Sequence, residues 1–246
     1  VEYLREYFAV LGRHMEKILS SQSEVMEQAV KAMVECVRRG GVIHVFGAGH
    51  SQLVVEEVWY RAGQLACVNP LFDQNLWPHN GPRKGSRLER LEGYGRAVLA
   101  DQDLRPGEVL VAVSNSGRNA VAVEAALTAK ERGVTVVALT SLEYSKSVQS
   151  RHSSGRRLFE VADIVIDNQG IPGEAAVRLP GGARAGATTT VTNAAILNAI
   201  LVQVAGELAR QGVEPPLFQS ANLDTSSEHN LRLLDRYSDR IPLYKH

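Results

Sequence analysis

The sequence predicts an α/β fold in which a mostly parallel sheet is covered by helices on both faces. Three observations predict it. Five short runs rich in valine, isoleucine and leucine (VIHVF at 42–46, LACVN at 65–69, VLVAV at 109–113, TVVALT at 135–140, ADIVID at 162–167) are almost wholly apolar, as strands buried on both faces are. Segments with helical spacing separate them, the mark of βαβ units. At 246 residues and 44% hydrophobic composition the chain can bury one large core, so we read a single domain: a helical segment 1–40, an α/β core 41–212 and a tail 213–246.

Taken in order, residues 2–39 carry Leu4, Phe8, Leu11, Met15, Ile18 and Leu19, then Val25, Met26, Ala29, Met33, Val34 and Val37, at helical spacing. Two helices, or one long helix with a break, are expected there. Further helices are expected over 52–62, 89–99 and 120–132. FDQNLWPHNGPRKGS at 72–86 reads as a long polar loop, which places Trp77 and His79 where they could lid a ligand. The last long helix, TVTNAAILNAILVQVAGELARQG, is apolar nearly all round and suits the core or a subunit interface, with Gly212 ending it. Thr188, Thr189 and Thr190 read as its N-terminal caps. His44, in mid-strand, reads as a hydrogen-bonded core histidine.

The 27 basic residues balance the 27 acidic ones, so no basic field points to nucleic acid or a membrane surface. No apolar run approaches the roughly 20 residues that span a bilayer, and no secretory signal is seen at the N-terminus. Cys36 and Cys67 lack metal spacing and read as buried thiols of a reducing compartment. A cytoplasmic protein is the expectation.

In open α/β sheets the ligand lies beyond the carboxyl ends of the strands. Two of those ends stand out: GAGHSQ at 47–52 follows the first strand and SNSGRN at 114–119 the third. Glycines allow tight turns and close backbone approach, and the N–H groups that open the next helix favour an anion. Serine hydroxyls and the asparagine amide add neutral donors, with Arg118 as a nearby cation. Such loops suit a phosphate monoester.

Other motifs fail here. No GxxxxGK[ST] is present for nucleotide phosphates, no GxSxG for a serine nucleophile and no HExxH for zinc. The start of a dinucleotide fingerprint at 47–52 has Gln52 in place of its third glycine, and the second strand ends at Asn69 without a ribose-binding carboxylate. Neither cofactor nor metal is expected.

GAGHS at 47–51 and SNSGRN at 114–119 together resemble the SIS (sugar isomerase) phosphosugar-binding domains over residues 40–212. ERLEG at 89–93, ATTTVTNAAILNAI at 187–200 and SANLDTSSEHN at 220–230 resemble more closely a bacterial subgroup of that family. Phosphoheptose isomerases and N-acetylmuramic acid 6-phosphate etherases are more distant. The resemblance implies a three-layer α/β/α sandwich with a five-stranded parallel sheet of flavodoxin-like order, and a homodimer, with a tetramer as alternative. It also implies a sugar-phosphate or amino-sugar-phosphate ligand gripped by Ser51, Ser114, Asn115, Ser116 and Asn119, with Gly49 and Gly117 in the two loops. His50 stands where several members place threonine.

An aldose–ketose isomerase needs a base that moves a proton between adjacent carbons and an acid–base group near the ring oxygen. Related isomerases bring a histidine from behind the last long helix, often across the dimer interface, which points to His229 first and Glu228 second. Glu92 is the next candidate, by resemblance to a stretch of the etherases. Glu57 occupies a place where phosphoheptose isomerases carry metal or acid–base ligands, but Arg61 departs from that pattern. Glu57, Thr188 and Thr189 are expected ligand contacts. Isomerisation is the leading reading, with ether cleavage as a variant; a non-catalytic phosphosugar sensor and a nucleotide-dependent enzyme are the competitors.

Overall fold

A computed structural model describes residues 1–223 and 226–245; Asp224 and Thr225 of the 220–230 tail stretch lie outside the described residues. Helix α1 (Glu2–Arg38) leads into β1 (Ile43–Gly47), α2 (Gln52–Glu57), β2 (Val68–Leu71), α3 (Pro82–Leu88), α4 (Tyr94–Ala100) and β3 (Val109–Val113). Then follow α5 (Ala120–Glu131), β4 (Thr135–Thr140), α6 (Leu142–Lys146), α7 (Leu158–Val161), β5 (Ile164–Asp167), a hairpin β6 (Ala175–Arg178) and β7 (Arg184–Ala187), α8 (Thr189–Arg210) and α9 (Ser226–Tyr237). The five long-range strands form a parallel sheet in the order β2-β1-β3-β4-β5. This is the flavodoxin-like order, in which the chain reverses its direction of sheet growth between β1 and β3.

Strand alternation divides the core into two layers. Val109, Val111 and Val113 of β3 and Val137 and Leu139 of β4 face a cluster with α1, α2, α8 and α9. Leu110, Ala112, Val136 and Ala138 face the other, with α4, α5 and α7. His44 points into neither cluster. Fully buried, its Nε2 lies 3.0 Å from Glu108 Oε2, and its Nδ1 lies 3.1 Å from the Asn69 amide. Glu108 also accepts from Val42 N, Arg105 N and Arg240 Nη2 (2.9, 2.9 and 2.6 Å), which ties the C-terminal segment to the sheet.

Several elements differ from the sequence expectation. Helix α1 is continuous for 37 residues, because the hydroxyls of Ser20 and Ser21 donate back to Lys17 O (3.1 and 2.7 Å) and leave the helical path intact. Helix α2 stops at Glu57, ahead of Tyr60 at φ +45. Instead of one helix over 89–99, a turn separates α3 from α4: the buried Glu124 carboxylate accepts the Gly93 and Gly95 N–H groups at 2.6 and 2.8 Å. The polar stretch 72–86 contains two 3₁₀ turns and most of α3. Helix α8, 22 residues, is long and apolar enough to cross a membrane, contrary to the expectation that no such run exists; half of its apolar window is buried inside the molecule. Both cysteines are free and buried, and burial pushes the Cys36 thiol up to about 12.

Candidate functional site

The register pairs Gly47 of β1 with Val113 of β3, so the loops that follow these strands leave the sheet side by side at the switch point. Between them lies a cavity of about 200 Å³. Its walls are Gly49, His50 and Ser51 from the first loop, Ser114, Asn115, Ser116 and Asn119 from the second, and Thr189, Thr190 and Asn193 from the start of α8. Glu89 and Glu174 add two carboxylates, and Ala48 and Val54 an apolar patch. Ser51 and Ser116 therefore share one cavity. A larger groove of about 710 Å³ runs between α1 and α8, lined by Met26, Val30 and Ile200 among long polar side chains, without a comparable convergence of small donors.

The second loop is held rigidly. Gly117 sits at φ +56, and a Cβ there would lie 2.9 Å from Ser145 Oγ, so only glycine fits. Ser145 Oγ donates to Ser116 O at 2.7 Å, and Leu158 N donates to Gly117 O at 2.8 Å. Asn115 anchors the floor. Its Nδ2 donates to Thr189 Oγ1 (2.9 Å) and Glu174 Oε1 (3.2 Å), and its Oδ1 accepts from the buried Asn168 (2.8 Å) and Asn193 (3.4 Å). The amide is thus committed to the protein on both ends. By contrast, the side-chain hydroxyls of Ser51, Ser114 and Ser116 and the His50 ring make no hydrogen bond among the described residues, which leaves them for a ligand.

Glu89 bridges the loops. Its Oε2 accepts from Asn119 Nδ2 at 2.8 Å, while Oε1 lies where a Cβ on Gly49, itself at φ +59, would approach to 3.2 Å. Its backbone carbonyl accepts Val121 N of α5 at 3.1 Å. Burial raises the Glu89 carboxyl above its usual range; the Asn119 hydrogen bond and the charges of Arg90 and Arg151 offset this only in part. A desolvated carboxyl in a cleft of donors is equipped to take up and release a proton. Glu89 was read from the sequence only as part of ERLEG, and Glu174 not at all. The signal available was the acidic stretch ERLEG itself; the tight turn at Gly93 that aims it is a tertiary effect.

The other candidates lie elsewhere in the chain. Glu92 is exposed and accepts from Ser153 Oγ (2.7 Å) and Ser153 N (2.6 Å), and these bonds hold it below the usual range. Within one chain His229 does not line the cavity: its Nε2 donates to Leu217 O at 2.9 Å. Glu228 is exposed and pairs with Arg232 at 3.1 Å. Glu57 pairs with Arg61 at 2.7 Å and accepts from Asn198 at 3.3 Å, outside the cavity. Of the threonines expected as caps, none caps α8 by its side chain: Thr188 is buried with its hydroxyl unpartnered, whereas Thr189 lines the cavity. Trp77 and His79 pack against each other with their rings tilted by 35°, centroids 5.2 Å apart, and are not part of the wall. No group of three or more His, Cys, Asp or Glu among the described residues is placed to hold a metal.

Comparison with known proteins fits this geometry. A UPF0309 protein of Geobacillus kaustophilus is 42% identical over 98% of this chain and 96% of its own length. One from Listeria innocua is 40% identical over 98% of each. The fold is that of phosphoheptose isomerases: the Neisseria gonorrhoeae enzyme matches with a TM-score of 0.57 at 20% identity, covering 83% of this chain and 98% of that one. The Francisella tularensis enzyme gives 0.56 at 16%, covering 82% and 96%. The SIS domain family matches residues 6–141, and the chain belongs to that family.

Proposed function

We propose that the protein binds a sugar phosphate and acts on it by acid–base chemistry, as an aldose–ketose isomerase. One observation carries the reading: three unengaged serine hydroxyls converge on one cavity at the sheet's switch point, with a half-buried carboxyl of raised pKa between the two loops. The phosphate is held by the hydroxyls of Ser51, Ser114 and Ser116, a neutral cradle for an anion. His50 lies beside it, in reach of the phosphate or the ring oxygen.

Glu89 moves the proton between the adjacent carbons. Its raised pKa brings it nearer the operating pH, where a carboxyl can both accept and return a proton. His229 and Glu228 enter this scheme only from a second copy, since within one chain they lie outside the cavity wall; Glu92 takes no part in it. The protein works as a cytoplasmic homodimer in this reading.

The test is incubation with a panel of pentose, hexose, heptose and amino-sugar phosphates, followed by NMR and by calorimetry. Conversion of one to its keto or aldo partner is the expected result. Binding without conversion would support a phosphosugar sensor instead, and the absence of any binding would overturn the reading.

A further inference from the structure

A second carboxylate in the cavity has no part in holding phosphate. Glu174, in the loop after β5, sits at φ +68, a conformation unfavourable for a residue with a Cβ. Its carboxylate turns inward: Oε1 accepts from Asn115 Nδ2 at 3.2 Å and Oε2 from Thr189 Oγ1 at 3.3 Å. The preceding loop is pinned to the core, where Ser141 Oγ donates to Gly170 O at 2.5 Å and Gly170 N to Asn168 Oδ1 at 2.9 Å. The carboxylate is therefore built into the wall rather than swinging in solvent.

Its charge is not balanced by the protein. Among the described residues no lysine or arginine lines the cavity, and the partners of the Glu174 carboxylate, Asn115 and Thr189, are neutral. Arg118 and Arg151, on adjoining segments, are directed at Gln149 O (2.9 Å) and Asn119 Oδ1 (3.0 Å) instead. A phosphate held in the same cavity as this half-buried carboxylate is repelled by it. A ligand that carries its own positive charge relieves this, and one that is neutral at that point does not.

We propose that the ligand is a phosphosugar with a free, protonated amine, and that Glu174 is the amine's counter-ion. This rests on the phosphosugar reading above and narrows it to one class. N-acetylation removes the charge that Glu174 recognises, and a carboxylated sugar phosphate adds to the repulsion.

Isothermal titration of the full chain with glucosamine 6-phosphate, glucose 6-phosphate and N-acetylglucosamine 6-phosphate tests it. The amine is expected to bind at least about tenfold tighter than the other two, the scale of one charge-assisted hydrogen bond. In Glu174→Gln that preference should vanish, with the two sugar phosphates that lack a charged amine binding as well as before or better. The wild-type comparison stands even if the variant folds poorly. Equal wild-type affinities, or a preference that survives in E174Q, would overturn the assignment and leave the phosphosugar reading intact. If no sugar phosphate of a wider pentose, hexose and heptose panel binds, it is that underlying reading that fails.

Discussion

The Glu89 carboxylate accepts a 2.8 Å hydrogen bond from the Asn119 amide, and so joins the turn after α3 to the end of the second phosphate loop. Asn119 in turn accepts Arg151 Nη1 at 3.0 Å. The Glu89 carboxylate and the end of the second loop are thus positioned by the same residue. That coupling gives the site its testable consequences.

Glu89→Gln keeps the shape and the contact with Asn119 but removes the proton site. Turnover should fall by about 10²–10⁴-fold, the usual contribution of a general acid–base group, while phosphosugar affinity changes little. A variant with wild-type kcat would remove Glu89 from the mechanism.

Ser116→Val removes a free hydroxyl and places two methyl groups at the cavity wall. Calorimetry should show a loss of about 1.5–3 kcal/mol in phosphosugar binding, the range for a hydrogen bond to a charged group. The melting temperature should barely move, because the Ser116 carbonyl, and not its hydroxyl, is what Ser145 holds.

Burial of Glu89 also sets a pH signature. Its folded pKa lies above the ordinary carboxyl value of 4.5, so the folded state holds the proton more tightly than the unfolded chain. The favourable term is complete below 4.5 and is lost as pH rises through the raised value. E89Q, which cannot ionise, should therefore gain thermal stability relative to wild type at pH 7 and show no such gain at pH 4. A constant difference across that range would contradict the raised pKa.

Glu108 has the opposite sign. Burial would raise its pKa, yet hydrogen bonds from His44, the Arg105 N–H and Arg240 bring it down to about 2. The resulting stability is present above 4.5 and is lost as pH falls towards 2. Glu108→Ala, which takes the buried carboxylate from His44 and leaves Arg240 only its Asp103 partner, should cost about 3–5 kcal/mol in urea unfolding at pH 7, the cost of breaking a buried pair. It should also flatten the acid limb of the stability curve.

The sheet and the meeting of the two Gly/Ser loops at its switch point were legible because their signals are local. Period-free apolar runs mark strands covered on both sides, and clustered Gly and Ser after VIHVF and VLVAV mark loops that approach a ligand. What was not legible depends on distant partners. The break at Gly93 requires the Glu124 carboxylate, which is 29 and 31 residues away from the N–H groups it accepts. Without it, 89–99 reads as one charged helix and Glu92, on the outside, looks as good as Glu89. The hairpin β6–β7 is short and rich in glycine, so its four-residue strands carry too little alternation to stand out. Thr189 resembled a cap because threonine is common there; only the fold brings Asn115 and Glu174 to its hydroxyl.

The most direct measurement is a crystal structure with a bound phosphosugar. The phosphate is expected within hydrogen-bonding distance of both Ser51 and Ser116, with the sugar carbons against Glu89. A phosphate bound in the α1–α8 groove, or one touched by only one of the two loops, would contradict the account.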